Sequence, residues 1–476
     1  MRRTKIVCTI GPATEPIEML RKLAAAGMNV ARLNFSHGNY KDHARRIRDV
    51  RAVELENGSA IAILQDLPGT KLRIGDISEG TVTLNQGDRF VFTTRKVPGD
   101  KNEVYLPYLE LVHQAKPGKR IFVDDGQLEF NIERATDTDI VTTVVVGGTL
   151  GGHKGINMPG AFVSLPSITD KDIEDLKFGL AHDVDWVAAS FVRKASDLNP
   201  LRQIISDAHK STRLIAKIER HEAVEDIDAI IQAADGIMIA RGDLGVEMPI
   251  EQVPTIQKMI IKKCNEYGKP VITATQMLDS MIRNRQPTRA EVTDVANAIF
   301  DGTDAIMLSG ETAIGRFPIE SVEIMSKIAL EAENSIDYSR LLKEKTERVA
   351  NTVTEAIAQA SVEIAYDLQA AAIVTPTSSG ATPRAVSKYR PAAPIIAAAM
   401  SAATWRQLAL SWGVYPVLVK PAHDTDAMIA EAIDAIMQKN LIKRGETIVL
   451  TAGVPAGVPG GTNLIKVHVA GEDIRT

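Results

Sequence analysis

Cysteine is nearly absent from the 476-residue chain: Cys8 and Cys264 stand alone, too few and too far apart for a disulfide framework or a thiolate metal centre. Both are expected to be reduced structural thiols. No apolar run approaches the ~20 residues of a membrane span, and the start from Met1 to Cys8 lacks the apolar core of a signal peptide. A cytoplasmic protein with no membrane partner is expected. There is no excess of positive charge either. Lys and Arg total 55 against 60 Asp and Glu, a net charge of −5, so nucleic acid is not expected as a partner. Internal repeats and low-complexity tracts are also missing.

What is present is apolar sequence in quantity, 45% of the chain, enough for several cores and, at about 100 to 200 residues each, two to four domains. Short β-branched or apolar runs recur at 5–10, 30–35, 60–65, 186–191, 214–218, 236–240, 270–275 and 305–309. Most precede an amphipathic helical stretch such as Pro254 to Tyr267, a rhythm that predicts an α/β fold, a parallel (β/α)8 TIM barrel, over 1–69 and 166–338. Between the third and fourth runs the pattern turns to short alternating segments, such as Ile140 to Val146, broken by Gly, Asp and Pro. This predicts a small inserted β-barrel domain over 70–165, hinged near Pro68-Gly69 and Leu165-Pro166. An insertion on the catalytic rim can act as a lid or be purely structural. A charged connector from Asp337 to Arg348 leads to a second α/β series, the C-terminal domain of 339–476.

Barrel enzymes carry their chemistry at the C-terminal ends of the strands. Polar residues converge at those ends: Arg32 to Gly38, Asp66, Lys217 and Glu219, Arg241 to Gly245, Thr273 to Gln276, and Ser309 to Thr312. The spacing of two puts Lys217 and Glu219 on one side of the fifth strand. Glu219 and Asp243 then offer hard oxygen ligands suited to Mg²⁺ or Mn²⁺, and Lys217 a point charge for developing oxygen charge. A structural ion pair between Lys217 and a carboxylate is the plainer alternative. Arg32 and Arg73 fit as phosphate forks or as rim salt bridges, and Gly242 permits close backbone approach.

The strand-end segments resemble the pyruvate kinase family. Asn-Phe-Ser-His-Gly stands at 34–38, Lys-Ile-Glu at 217–219, Met-Ile-Ala-Arg-Gly-Asp-Leu-Gly-Val-Glu at 238–247, Ala-Thr-Gln-Met at 274–277 and Met-Leu-Ser-Gly-Glu-Thr at 307–312. The resemblance spans essentially the whole chain and implies phosphoryl transfer from phosphoenolpyruvate to ADP, giving pyruvate and ATP, by a homotetramer. It also implies that Arg32 grips the phosphate, that Lys217 stabilises the transferring group and the enolate, and that Glu219 and Asp243 bind Mg²⁺. Gly242, Asp243 and Thr275 would contact substrate, with Thr275 on the face where the enolate is protonated. Asn34, Phe35, Ser36, His37, Arg73 and Lys154 would hold the nucleotide.

Many relatives bind K⁺ through the equivalents of Asn34, Ser36, Asp66 and the Leu67 carbonyl, with an acidic residue nearby that Lys71 replaces here. A fixed ammonium could take the place of K⁺, so K⁺ independence is expected. In the C-terminal domain, Thr377, Ser378, Ser379, Gly380 and Thr382 run into a helix through Ala385 to Tyr389. By the resemblance this loop takes the phosphate of a sugar-phosphate or nucleotide effector, with the glycine-rich segment 453–461 closing over it; helix capping alone would use the same residues. A barrel using phosphoenolpyruvate with another acceptor, and a catalytically silent sugar-phosphate sensor, are the competing readings. The second predicts lost ligands, and none is lost.

Overall fold

The computed structural model describes residues 1–161, 166–346, 351–421, 424–454 and 461–473. Eight parallel strands close into a barrel: Lys5–Thr9, Val30–Asn34, Ala62–Asp66, Trp186–Ala189, Arg213–Ile218, Gly236–Ala240, Val271–Ala274 and Ala305–Leu308, each paired with its sequence neighbours and the first with the eighth. Their near-continuous apolar character follows from burial on both faces, by barrel interior and helices. The predicted runs match these strands to within two residues.

The inserted unit leaves the barrel after Asp66 and returns to a helix at Asp170–Ala181. The two crossings are stitched together. Thr169 and Asp172 form a reciprocal capping box at that helix start, and Asp172 Oδ1 also accepts the Gly69 amide at 2.9 Å. Thr70 Oγ1 donates to the Pro166 carbonyl at 2.8 Å, while Leu165 of the expected second hinge lies outside the described residues. The unit is a six-stranded sheet with a separate two-stranded pair, packed around Phe90, Phe92 and Phe130, whose ring centroids lie 5.1 to 5.5 Å apart. One short helix, Leu109–Gln114, interrupts the all-β pattern that the alternating sequence predicts.

The C-terminal unit is a five-stranded sheet ordered Val414–Leu418, Ile395–Ala399, Ala372–Thr377, Thr447–Ala452 and Leu464–Val469, parallel except for the last strand. The charged connector is itself helical over Tyr338–Thr346, supported by an Arg340 to Glu344 pair one turn apart at 2.9 Å and by Leu342 packing on the sheet core. The unit seats under the N-terminal ends of the barrel strands, opposite the ends that carry the chemistry. Ala409 and Leu410 join the cluster of interior side chains that includes Val7, Leu64 and Met307, and so plug the barrel floor.

Glu54 fastens this seam. Fully buried, it accepts the Ile61 amide at 3.0 Å and Arg406 Nε of the C-terminal unit at 2.7 Å. Glu54→Ala leaves Arg406 without its counter-charge and is expected to lower unfolding stability by about 3 kcal/mol. Denaturant titration measures this, and an unchanged midpoint contradicts it.

Candidate active site

The fifth strand brings Lys217 and Glu219 to the top of the barrel, and the second and third strands bring Arg32 and Asp66. The four side chains form one buried chain of charge. Arg32 Nε and Nη2 lie 2.7 and 2.6 Å from Asp66 Oδ2, and Arg32 Nη1 donates to Thr9 Oγ1 at 2.9 Å. Lys217 Nζ sits 3.2 Å from Asp66 Oδ1 and 2.8 Å from Glu219 Oε1, and donates to Ser190 Oγ at 2.7 Å. Ser190 in turn donates to the Leu67 carbonyl at 2.7 Å.

Burial opposes the charge on Lys217, but Asp66 and Glu219 outweigh it and hold the ammonium well above its usual range. Burial likewise works against ionised Asp66, yet Lys217 and Arg32 keep its carboxyl below the usual value. Glu219 goes the other way. Burial first, and then the nearby Asp243 charge, raise its pKa despite Lys217. Its Oε2 accepts the Phe191 amide at 2.8 Å, while the buried Oε1 faces only the Lys217 ammonium at 2.8 Å among the described residues. A buried carboxylate oxygen left in this state, beside a second carboxylate, fits a divalent cation whose remaining ligands come from substrate and water.

Asp243 lies in the first turn of a short helix, Arg241–Glu247, that begins as the sixth strand ends. Arg241 braces the turn, donating to the Thr275 carbonyl at 2.8 Å and pairing with Asp294 at 2.7 Å. Thr275 Oγ1 accepts the Gly242 amide at 2.9 Å. Thr275 and Gln276 hold φ of 69° and 55°, left-handed conformations that non-glycine residues adopt at a cost and that cluster at functional sites.

The expected nucleotide residues divide into two groups. Asn34 Oδ1 accepts the Ser36 amide at 3.1 Å, and Ser36 and His37 are exposed on the rim. Phe35 is buried and stacks on His43 with centroids 3.9 Å apart, so only its main chain remains for a ligand. Arg73 and Lys154 meet on the inserted unit, where Arg73 bridges to Gly155 and donates to the His153 carbonyl at 2.8 Å, and Lys154 pairs with Asp124 at 3.0 Å.

Lys71 is not where the sequence suggests. Its ammonium lies 2.6 Å from Asp125 Oδ1 and 3.4 Å from Asp243 Oδ1, with no hydrogen bond or ion pair to Asn34, Ser36, Asp66 or the Leu67 carbonyl among the described residues. The cause is the Asp124-Asp125-Gly126 turn, which joins the strands Arg120–Val123 and Leu128–Ala135 in left-handed conformations and turns an acid towards the barrel. Burial opposes the Lys71 charge, but Asp243 and Asp125 raise its pKa. Sequence reasoning also missed Ser190 and Thr9; a small polar residue at the end of a barrel strand is the signal that both carry.

In the C-terminal loop, Thr377 ends its strand and its hydroxyl accepts the Gly380 amide at 2.9 Å, while the helix covers Ala381–Ser387 and stops short of Tyr389. Gly380 has φ of 78°. Thr382 Oγ1 meets Thr462 Oγ1 at 2.8 Å, and the carbonyls of Ser378 and Ser379 accept from Thr404 at 2.7 Å and from Arg213 and Arg384 at 3.0 Å. Residues 455–460 of the expected covering segment lie outside the described residues.

Comparison with known proteins agrees with this architecture. Residues 1–322 match the family model described as pyruvate kinase, barrel domain, and residues 355–468 the one described as pyruvate kinase, alpha/beta domain. A pyruvate kinase of Geobacillus stearothermophilus is 50% identical over 98% of this chain and 80% of its own length. One of Clostridium acetobutylicum is 45% identical over 98% of this chain and 100% of its own length. The crystal structure of a pyruvate kinase from Cryptosporidium parvum superposes with a TM-score of 0.93 at 38% identity, covering 98% of this chain and 96% of that one. With both of its main units matched and its relatives aligned end to end along it, the chain belongs to the pyruvate kinase family.

Proposed function

We propose that the chain transfers the phosphoryl group of phosphoenolpyruvate to ADP, giving pyruvate and ATP, at the top of the barrel formed by 1–69 and 166–338. The observation that carries this reading is the buried chain Arg32, Asp66, Lys217 and Glu219 with Asp243 beside it. In the reaction the bond between phosphorus and the enol oxygen breaks, a terminal oxygen of ADP forms the new bond, and the electron pair stays on the enolate. Protonation at the methylene carbon then gives pyruvate.

The residues supply mainly position and fixed charge, which phosphoryl transfer requires. Arg32 uses three of its five N–H donors on Asp66 and Thr9, leaving two for the phosphate. Lys217, held cationic between two acids, faces the bridging oxygen as charge develops on it. Gly242 lets the substrate approach the main chain closely, Asp243 would reach it through the divalent cation, and Thr275 borders the face where water delivers the proton. Glu219 and Asp243 would hold a divalent cation, Mg²⁺ or Mn²⁺, which when bound adds positive charge at the phosphoryl and enolate oxygens. Asn34, Phe35 through its main chain, Ser36, His37, Arg73 and Lys154 hold the nucleotide phosphates, with 70–165 as lid. Lys71 supplies a permanent cation beside Asp243, which supports turnover without K⁺ even though its ammonium lies away from Asp66. In the regulatory unit, 339–476, the loop of Thr377, Ser378, Ser379, Gly380 and Thr382 takes a phosphorylated sugar or nucleotide effector. The working form is a cytoplasmic homotetramer.

A coupled assay of pyruvate formation is expected to show turnover that needs ADP and Mg²⁺ and persists at full rate in K⁺-free buffer. No turnover in any of these mixtures contradicts the reading. Lys217→Met is expected to lower kcat by at least about 100-fold, by removing a fixed charge from the developing oxyanion. Ser190→Ala, which leaves both carboxylates of Lys217 in place, is expected to cost only about tenfold. Wild-type kcat in Lys217→Met removes that residue from its role.

A further inference from the structure

Lys154 belongs to the inserted unit and Asp243 to the barrel, so transfer between two bound substrates depends on how these two bodies are held together. The contacts of Gly69 with Asp172 and of Thr70 with Pro166 fix only the root of the unit. Beyond the hinge, the unit meets the barrel along the short helix Arg241–Glu247, which bears Asp243. Near the start of that helix Lys71 lies 3.4 Å from Asp243. The Gly126 turn comes close further along: a Cβ at Gly126 would lie 3.7 Å from Val246 Cγ2. At the helix end Asn157 Nδ2 donates to Glu247 Oε1 at 2.7 Å, a short bond from a neutral amide to a carboxylate.

Asn157 is placed to pass this contact on. It ends the strand Ile156–Asn157, which pairs with the strand Arg120–Val123, Ile156 opposite Val123 and Asn157 opposite Phe122. Lys154 stands just before that strand, and its ammonium meets Asp124, the residue after Val123, at 3.0 Å. Asp125 follows and holds Lys71 at 2.6 Å. A tether at Asn157 therefore fixes the piece of sheet that carries Lys154, Asp124 and Asp125. Glu247, at the other end of the bond, is half-buried and crowded by acid. Burial raises its pKa, Arg220 and Asn157 oppose the rise, and Glu222 and Asp243 add to it. An amide donor suits such a place, whereas a second carboxylate there would be repelled.

Granted the function proposed above, we propose that Asn157 and Glu247 are positioning residues for the transfer. Their hydrogen bond holds Lys154 of the inserted unit against the helix that carries Asp243, and so sets the nucleotide phosphates at reacting distance from phosphoenolpyruvate on the barrel. Both act through Lys154 and Asp243, with no bond of their own to either substrate.

An isosteric exchange of the full chain tests the pair. Asn157→Asp sets two carboxylates face to face, whereas Asn157→Asp combined with Glu247→Gln restores a hydrogen bond of reversed polarity in the same space. In the coupled assay, Asn157→Asp is expected to raise KM for ADP about tenfold, the loss of one charge-assisted hydrogen bond, with KM for phosphoenolpyruvate within about twofold of the wild type. The double variant is expected to recover most of that loss. Hydrogen exchange, read by mass spectrometry on peptides covering 152–158 and 241–247, follows the same contact without substrate. Exchange is expected to be faster in Asn157→Asp and to return to the wild-type rate in the double variant. Unchanged KM for ADP or unchanged exchange in Asn157→Asp, or a double variant no better than Asn157→Asp, overturns the proposal. Absence of turnover in the wild type refutes the function instead, and the exchange rates then decide whether the pair holds the inserted unit.

Discussion

The carboxylate of Asp66 is shared by Arg32 and Lys217, and the top of the barrel depends on that sharing. Burying a guanidinium and an ammonium side by side costs far more than either pair returns in water, and it is sustained only because each keeps a counter-charge at contact distance. Arg32 and Lys217 against Asp66 and Glu219 balance, so the buried group is neutral. Asp243 then stands over it as excess negative charge, partly offset by Lys71, and this excess, together with burial, raises the pKa of Glu219. The divalent cation proposed for Glu219 and Asp243 would meet this excess of negative charge.

The rest of the fold holds this arrangement still. Parallel pairing sets Asn34 opposite Asp66, and Asp66 registers through Ala188 with Ile215, two residues before Lys217, so the second, third and fifth strands bring their polar ends close together. Asp172 closes the gap left by the inserted unit by gripping both sides of it. At the far end Leu410 fills the barrel, and Arg213 starts the strand that ends in Lys217 and Glu219 while bonding the Ser379 carbonyl of the C-terminal loop. Lys71 and Asn157 tie the inserted unit to the barrel, Asn157 through Glu247 at 2.7 Å.

Much of this was legible in the sequence, for definite reasons. Parallel barrel strands are covered on both faces and read as apolar runs, which is why all eight could be placed. Lys217 and Glu219 share a side because strand side chains alternate. Lys71 was misjudged because its partner, Asp125, lies 54 residues away on a turn whose direction only the fold decides. Ser190 escaped notice because its strand end lacks a charge. The connector reads only as charged; its helix is supported by the Arg340 to Glu344 pair and by Leu342 packing on the sheet core.

The claim on which everything else rests is that the buried group is complete except for a divalent cation at Glu219 and Asp243. Binding of Mn²⁺ to the full chain, followed by water-proton relaxation with phosphoenolpyruvate present, tests it most directly. Glu219→Gln is expected to weaken Mn²⁺ by about 10- to 100-fold, the range typical of altered metal environments, while the far-ultraviolet circular dichroism is unchanged. Mn²⁺ affinity equal to that of the wild type in Glu219→Gln would contradict the account.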